Sequence, residues 1–199
     1  MRRWAGVDVG AARKGFHVAV ISSGHLPEPP VQLASAKQVS AWLEARQPCV
    51  IAVDSPRRPA QPGRRSRLDE VEFARGRICG IRFTPDEEAI RSHARGYYDW
   101  IKNGFSLYEE LDAAFLRAGW EVIECFPTAS LTRLGGPRTT TRAAWSTAVL
   151  ASLVRDVPSR MSQDARDAVV AALTAEHYGS GRTERFGEIV VPAIPTASS

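Results

Sequence analysis

The chain has 199 residues, of which 44% are hydrophobic and 24% charged, and its formal net charge is +4. Its uncharged apolar runs, such as 50–53 and 169–173, fall far short of the roughly 20 residues of a membrane helix, which excludes a membrane protein. The three cysteines form no C-x-x-C pair and charged residues interrupt any signal-peptide core after position 7, so we expect a soluble, cytoplasmic protein.

The first quarter of the sequence predicts the element order β-β-β-α-β. Strand-like runs at 4–9 and 16–21 flank a turn at 10–14 and predict a hairpin, and 31–34 is a third strand. Val39, Trp42 and Leu43 have helical spacing within 35–46. The continuous apolar run at 49–53 predicts a central strand covered on both faces, as is typical of parallel pairing.

The remaining three quarters predict helices and two further strands. Residues 57–103 lack strong periodicity, and we interpret them as an inserted segment with short helical pieces at 68–77 and 86–95. The pattern then predicts a helix at 105–117, with Tyr108, Leu111 and Phe115 on one face, and a strand at 120–126. Two helices at 142–155 and 162–178 and a strand at 188–191 follow. Residues 1–192 are expected to form a single domain, and 193–199 a disordered tail.

Arginines are concentrated in one short stretch of the chain. Only three of the 26 basic residues are lysines, and five arginines fall between 57 and 67 with prolines and a glycine. They are Arg57, Arg58, Arg64, Arg65 and Arg67. This stretch predicts a mobile basic loop that binds the phosphate backbone of a nucleic acid. A solvated loop without a ligand is the alternative.

Four aspartates stand where strands or a helix would present them at one edge of the sheet. Asp8 lies inside the first strand, where aspartate is disfavoured, and Asp54 follows the apolar fourth strand. Asp164 and Asp167, three residues apart, project from the same side of the last long helix. Three of them have a structural alternative: a turn for Asp8 and Asp54, and the helix N-terminus for Asp164.

Four clustered carboxylates repel one another unless a cation neutralises them. Hard oxygen ligands of this kind suit Mg²⁺ or Mn²⁺. Two such ions about 4 Å apart stabilise both the attacking and the leaving oxygen of a phosphodiester. The sequence therefore predicts a divalent-metal site that hydrolyses phosphodiester bonds.

Short motifs in the sequence resemble those of a known superfamily. The run AGVDVGAARKGF at 5–16 looks like the first hairpin of RNase H-like proteins, especially the bacterial Holliday-junction resolvases. DARDA at 164–168 resembles the D-x-x-D-A of the last catalytic helix of the resolvases. With IAVDSP at 51–56, YDW at 98–100, ECFPT at 124–128 and IVVP at 189–192, the chain is similar to domain of unknown function family 429.

That resemblance implies an α/β RNase H-like fold: a mixed five-stranded sheet, three antiparallel strands then parallel ones, flanked by helices, with the insertion after strand 4. It implies a nuclease whose catalytic and metal-binding carboxylates are Asp8, Asp54, Asp164 and Asp167, with nucleic acid as partner and a homodimer as in many resolvases. Asp54 departs from the glutamate common in resolvases. Glu124 is a fifth candidate metal ligand, with a structural role as its alternative.

Two other functions are alternatives to the nuclease. A nucleic-acid-binding or regulatory module could keep the fold without turnover, although a pure binder gains nothing from acids that face phosphate. The Gly6-x-Asp8-x-Gly10 pattern also resembles the phosphate loop of actin-like and sugar kinases, but those need two such domains. His17, His25, His93 and His177 show no metal-ligand spacing, and we expect none of them in the metal site.

Overall fold

The computed structural model describes residues 2–11, 13–93 and 96–194, except the side chains of 115 and 116. Within these ranges the chain forms seven strands and seven helices. Their order is β1 (Trp4–Val9), β2 (Phe16–Ile21), β3 (Val31–Leu33), α1 (Ala36–Glu44), β4 (Val50–Asp54), α2 (Leu68–Arg75), α3 (Glu87–Ser92), α4 (Asp99–Ala118), β5 (Glu121–Cys125), α5 (Pro127–Gly135), α6 (Arg142–Leu153), α7 (Gln163–Gly179), β6 (Thr183–Phe186) and β7 (Ile189–Pro192).

The strands form one mixed sheet in the order β3-β2-β1-β4-β5-β7-β6. The first three strands are antiparallel and β1, β4, β5 and β7 pair in parallel, as predicted. The predicted count of five strands is wrong, because the described residues contribute seven. The extra β6 is an edge strand antiparallel to β7 across the turn at Gly187, and its exposed polar residues give no apolar pattern.

Each strand buries alternate residues on the two faces of the sheet. Trp4, Ala19, Ala52 and Ile123 pack with α7 on one face. Val7, Val18, Ile51 and Val53 belong to a second apolar cluster, with residues of α1 and α4, on the other face. The sheet is therefore covered by helices on both faces, which explains why β1 and β4 are apolar almost throughout.

The approach between β1 and α7 depends on one glycine. A Cβ at Gly6 would lie 2.7 Å from the carbonyl carbon of Ala171, and closer still to Ala168 O and Ala172 N. The backbone of α7 therefore rests directly on β1. This contact places the first turns of α7 beside the end of β1.

Several elements differ from their predicted bounds. α4 begins at Asp99, six residues before the predicted start, and α5, which opens with a proline at its first turn, was not predicted. The segment between β4 and α4 contains α2 and α3, and an isolated bridge joins Ala60 to Asp86. Two predictions lie outside the described parts: the place of the Phe115 side chain in the apolar face of α4, and residues 195–199 of the tail. No described helix has both the length and the apolarity that spanning a membrane requires.

Candidate active site

Three polar side chains form a row across adjacent strands at one end of the sheet. The parallel register sets Asp8 of β1 opposite Asp54 of β4, and the antiparallel register sets Asp8 opposite His17 of β2. Because side chains alternate along a strand, Asp8, His17 and Asp54 share the face of Trp4, Ala19 and Ala52. This is the face that α7 covers.

The first turns of α7 bring two more carboxylates to this row. Ser162 caps the helix by accepting a hydrogen bond from the Ala165 amide at 3.0 Å. Asp164 and Asp167 follow within one turn, and both line a cavity of about 910 Å³ together with Asp8 and Asp54. The structure thus brings together the four aspartates that the sequence singled out.

Burial and mutual repulsion hold these carboxylates closer to the neutral state than usual. Burial, reinforced by the charges of Asp167 and Asp164, raises the pKa of Asp8 to about 8. Burial and the charge of Asp8 raise the pKa of Asp54 well above its ordinary range. Burial also raises the pKa of Asp167, against the opposing effect of Arg142. The basic groups of the cavity therefore do not offset the burial and repulsion of these carboxylates, which is the condition under which added cations bind.

Two side-chain cations already contact the acids on α7. Lys14 Nζ donates to Asp164 Oδ2 at 2.8 Å, and Arg142 Nη2 donates to Asp167 Oδ2 at 2.8 Å. Gln163 Nε2 donates to the other Asp167 oxygen at 3.0 Å. A divalent cation at Asp167 would have to displace or share these donors.

The structure gives Glu124 a partner that the sequence did not reveal. Glu124 pairs with Val53 in the parallel register and so points to the sheet face opposite Asp54. Its oxygens accept hydrogen bonds from the two terminal guanidinium nitrogens of Arg67, Nη1 and Nη2, and from the Arg57 amide. Glu124 and Arg67 are both about 5% exposed. This buried ion pair favours the structural alternative for Glu124, because a buried arginine already neutralises it.

The arginines of the predicted basic loop do not act as one surface. Arg67 is buried and is also bonded to Glu70, so it is not free for phosphate. Arg57 binds Asp112 through two hydrogen bonds, and Arg58 lies 3.3 Å from Glu188. The exposed Arg64 lines a separate depression of about 200 Å³; Arg65 is exposed next to it along the chain.

Other residues, which the sequence did not single out, line the acidic cavity. Arg82, Arg138 and Arg142 contribute positive charge, and Trp100 contributes an aromatic surface. No local pattern identifies the arginines, because they come from loops and α6, far apart in sequence. His17 was also missed, although the hairpin register around the turn at 10–15 would have set it opposite Asp8. Tyr97 and Tyr98 instead contact His93 as an aromatic cluster.

Comparisons with known proteins agree with this architecture. Among solved structures, the chain is similar to Thermus thermophilus RuvC in complex with a Holliday junction substrate. The two share 16% identity with a TM-score of 0.51, over 90% of this chain and 95% of that chain. A second T. thermophilus RuvC structure has 20% identity and a TM-score of 0.43, over 90% and 96% of the two chains. The first similarity shows an RNase H-like α/β fold.

A search of the curated proteins finds no match. The family model described as "Protein of unknown function (DUF429)" matches residues 6–190. This range runs from β1 to β7 and includes all four aspartates of the cavity. The chain therefore belongs to the DUF429 family of proteins of unknown function.

Proposed function

We propose that the protein is a divalent-metal-dependent nuclease that hydrolyses phosphodiester bonds of DNA or RNA. The observation that carries this proposal is the convergence of Asp8 and Asp54, from two parallel strands, with Asp164 and Asp167 of α7 on one cavity. An RNase H-like fold similar to that of a protein whose structure holds a Holliday junction supports the nucleic-acid substrate.

The donor set fits Mg²⁺ or Mn²⁺, because it consists of carboxylate oxygens, and burial together with mutual repulsion raises the pKa values of Asp8, Asp54 and Asp167. Asp8, Asp54, Asp164 and Asp167 would hold the cations. When bound, the metal would neutralise this charge and stabilise the charge that develops on the phosphate. Glu124 is left out of this set because Arg67 and the Arg57 amide occupy its oxygens.

The cavity walls provide contacts to the substrate backbone. Arg82 and Arg138 line the cavity and can bind phosphate oxygens without reading sequence. Of the predicted basic loop, the exposed Arg64 and Arg65 remain as backbone contacts outside the cavity. These residues position the strand, while the aspartates act at the scissile phosphate.

The experiment is a cleavage assay with Mn²⁺ or Mg²⁺ on labelled single-stranded, duplex, hybrid and branched DNA and RNA. We expect Asp8→Asn and Asp167→Asn to abolish cleavage while the folded state persists. Asp156→Asn is the matched control, because Asp156 is exposed and pairs with His25 away from the cavity. The nuclease proposal would be refuted if both variants still cleave, or if the wild type cleaves none of the substrates.

One observation favours a second function, a nucleic-acid-binding module without turnover. Lys14 and Arg142 already neutralise Asp164 and Asp167 through ion pairs, as expected of a site that works without metal. A calorimetric titration with Mg²⁺ and Mn²⁺ separates the two, since only the nuclease requires saturable binding. The homodimer implied by the resemblance stays a prediction, which sedimentation velocity tests.

A further inference from the structure

His17 lies beside the aspartates of the cavity, and the proposed nuclease function assigns it no role. Ligand atoms of Asp8, His17 and Asp164 all lie within 4.8 Å of one another. His17 Nδ1 is 4.0 Å from Asp8 Oδ2, and both side chains are only 12% exposed. These residues come from β1, β2 and α7, so the approach follows from the sheet register and the contact of α7 with β1.

The Nδ1 atom itself has no bonding partner. It is buried from solvent and makes no hydrogen bond within the described part of the chain. A buried polar atom without a partner is costly, and buried ring nitrogens normally have one. A distance of 4.0 Å to a carboxylate oxygen is too long for a hydrogen bond.

We propose that His17 is a nitrogen ligand of a cation held with Asp8 and Asp164, and that this site selects first-row transition ions over Mg²⁺. Imidazole suits transition ions, whereas Mg²⁺ binds oxygen ligands and keeps its waters. This inference specifies which metal ion the proposed nuclease would use. It rests on the proposed function only where it concerns catalysis.

Lys14 is the competitor for this site. Its Nζ bonds Asp164 Oδ2, but its side chain is 63% exposed. An exposed ion pair contributes little stability, so a cation with two carboxylates and an imidazole can displace Lys14. The other charged groups that face the cluster are Asp54, Asp167 and Arg142.

The test is pulsed EPR of Mn²⁺ bound to the full chain, which detects hyperfine coupling to a directly ligated ¹⁴N nucleus. We expect ¹⁴N coupling in the wild type, its loss in His17→Gln and its retention in His25→Gln. His25 is the matched control because it pairs with Asp156 at 2.7 Å, outside the acidic cavity. We also expect His17→Gln to weaken Mn²⁺ binding at least about tenfold, and Mg²⁺ binding less than about twofold.

The outcomes separate this inference from the nuclease. Bound Mn²⁺ without ¹⁴N coupling in the wild type, or coupling that persists in His17→Gln, overturns the role of His17 and leaves the nuclease intact. Coupling without cleavage of any substrate overturns the nuclease and leaves the His17 ligand. Absence of Mn²⁺ binding overturns both. The wild-type spectrum decides the matter even if His17→Gln does not fold.

Discussion

The substitution Gly6→Ala tests whether the contact between β1 and α7 positions the carboxylates. A methyl group at position 6 would lie 2.7 Å from the carbonyl carbon of Ala171 and closer still to two other backbone atoms of α7. Real Cβ atoms essentially never approach within 3.0 Å. Because backbone atoms block the methyl group, α7 must shift as a unit or β1 must bend.

The expected loss of stability follows from two opposing effects. Overpacking a close contact costs about 1–3 kcal/mol, and the upper end applies because no flexible side chain can yield. Alanine also restricts the unfolded chain more than glycine does, which stabilises the folded state by about 0.4–1 kcal/mol where the glycine has no positive φ. Gly6 has no positive φ. We therefore expect Gly6→Ala to lower the free energy of unfolding by about 2–2.6 kcal/mol.

Urea unfolding followed by circular dichroism measures this loss. Gly80→Ala is the matched control, because nothing lies within 4 Å of a Cβ at Gly80, and we expect its stability within about 0.5 kcal/mol of the wild type. A shift of α7 also separates Asp164 and Asp167 from Asp8, so Gly6→Ala should weaken Mn²⁺ binding. Wild-type stability together with wild-type metal affinity in Gly6→Ala would refute the reasoning.

Three further perturbations test the electrostatics of the site. In the metal-free protein, the raised pKa of Asp8 means that the folded state holds a proton between about pH 4 and 8 that the unfolded state has lost. The free energy of unfolding therefore falls as the pH rises, by up to about 1.4 kcal/mol for each pH unit. In Asp8→Asn, the urea midpoint should depend less on pH between pH 5 and 8 than in the wild type. Equal pH dependence in the two proteins would contradict this prediction. Arg67→Met should cost about 3–5 kcal/mol by leaving Glu124 buried and unpaired, and adding Glu124→Leu should restore most of it in the same assay. Arg64→Ala with Arg65→Ala should reduce the slope of log affinity against log salt by about 1–2 for an oligonucleotide, measured by anisotropy, and an unchanged slope would exclude both as phosphate contacts.

Local patterns in the sequence predict most of the strands that build the site. The apolar run before Asp54 and the hairpin at 4–21 predict β4, β1 and β2, because burial on both faces leaves a continuous apolar signature. β6 gives no such signature, since an edge strand with exposed Glu184 and Arg185 has the composition of a loop. β6 was missed for this reason, whereas the apolar run of β7 was predicted as a strand at 188–191.

The partners of the candidate residues were harder to predict than the residues themselves. Arg67 belongs to a basic run in sequence, but it is the arginine that folds inward to Glu124, 57 residues away. A count of charges in a segment does not distinguish an exposed arginine from a buried one. The partner of Glu124 was hidden for a related reason, because only the register of β5 against β4 shows that it points to the sheet face opposite Asp54, where Arg67 meets it.

The charges of the cavity explain why its four aspartates differ. Lys14 pairs with Asp164 and Arg142 with Asp167, whereas neither Asp8 nor Asp54 pairs with a lysine or arginine in the described part of the chain. Burial raises the pKa of Asp8 to about 8, and it raises the pKa of Asp54 well above its ordinary range. Two carboxylates without a counter-charge match the charge of one divalent cation. Protons and a divalent cation therefore compete for Asp8 and Asp54, so saturating Mn²⁺ should remove the loss of stability between pH 5 and 8 that the metal-free protein shows.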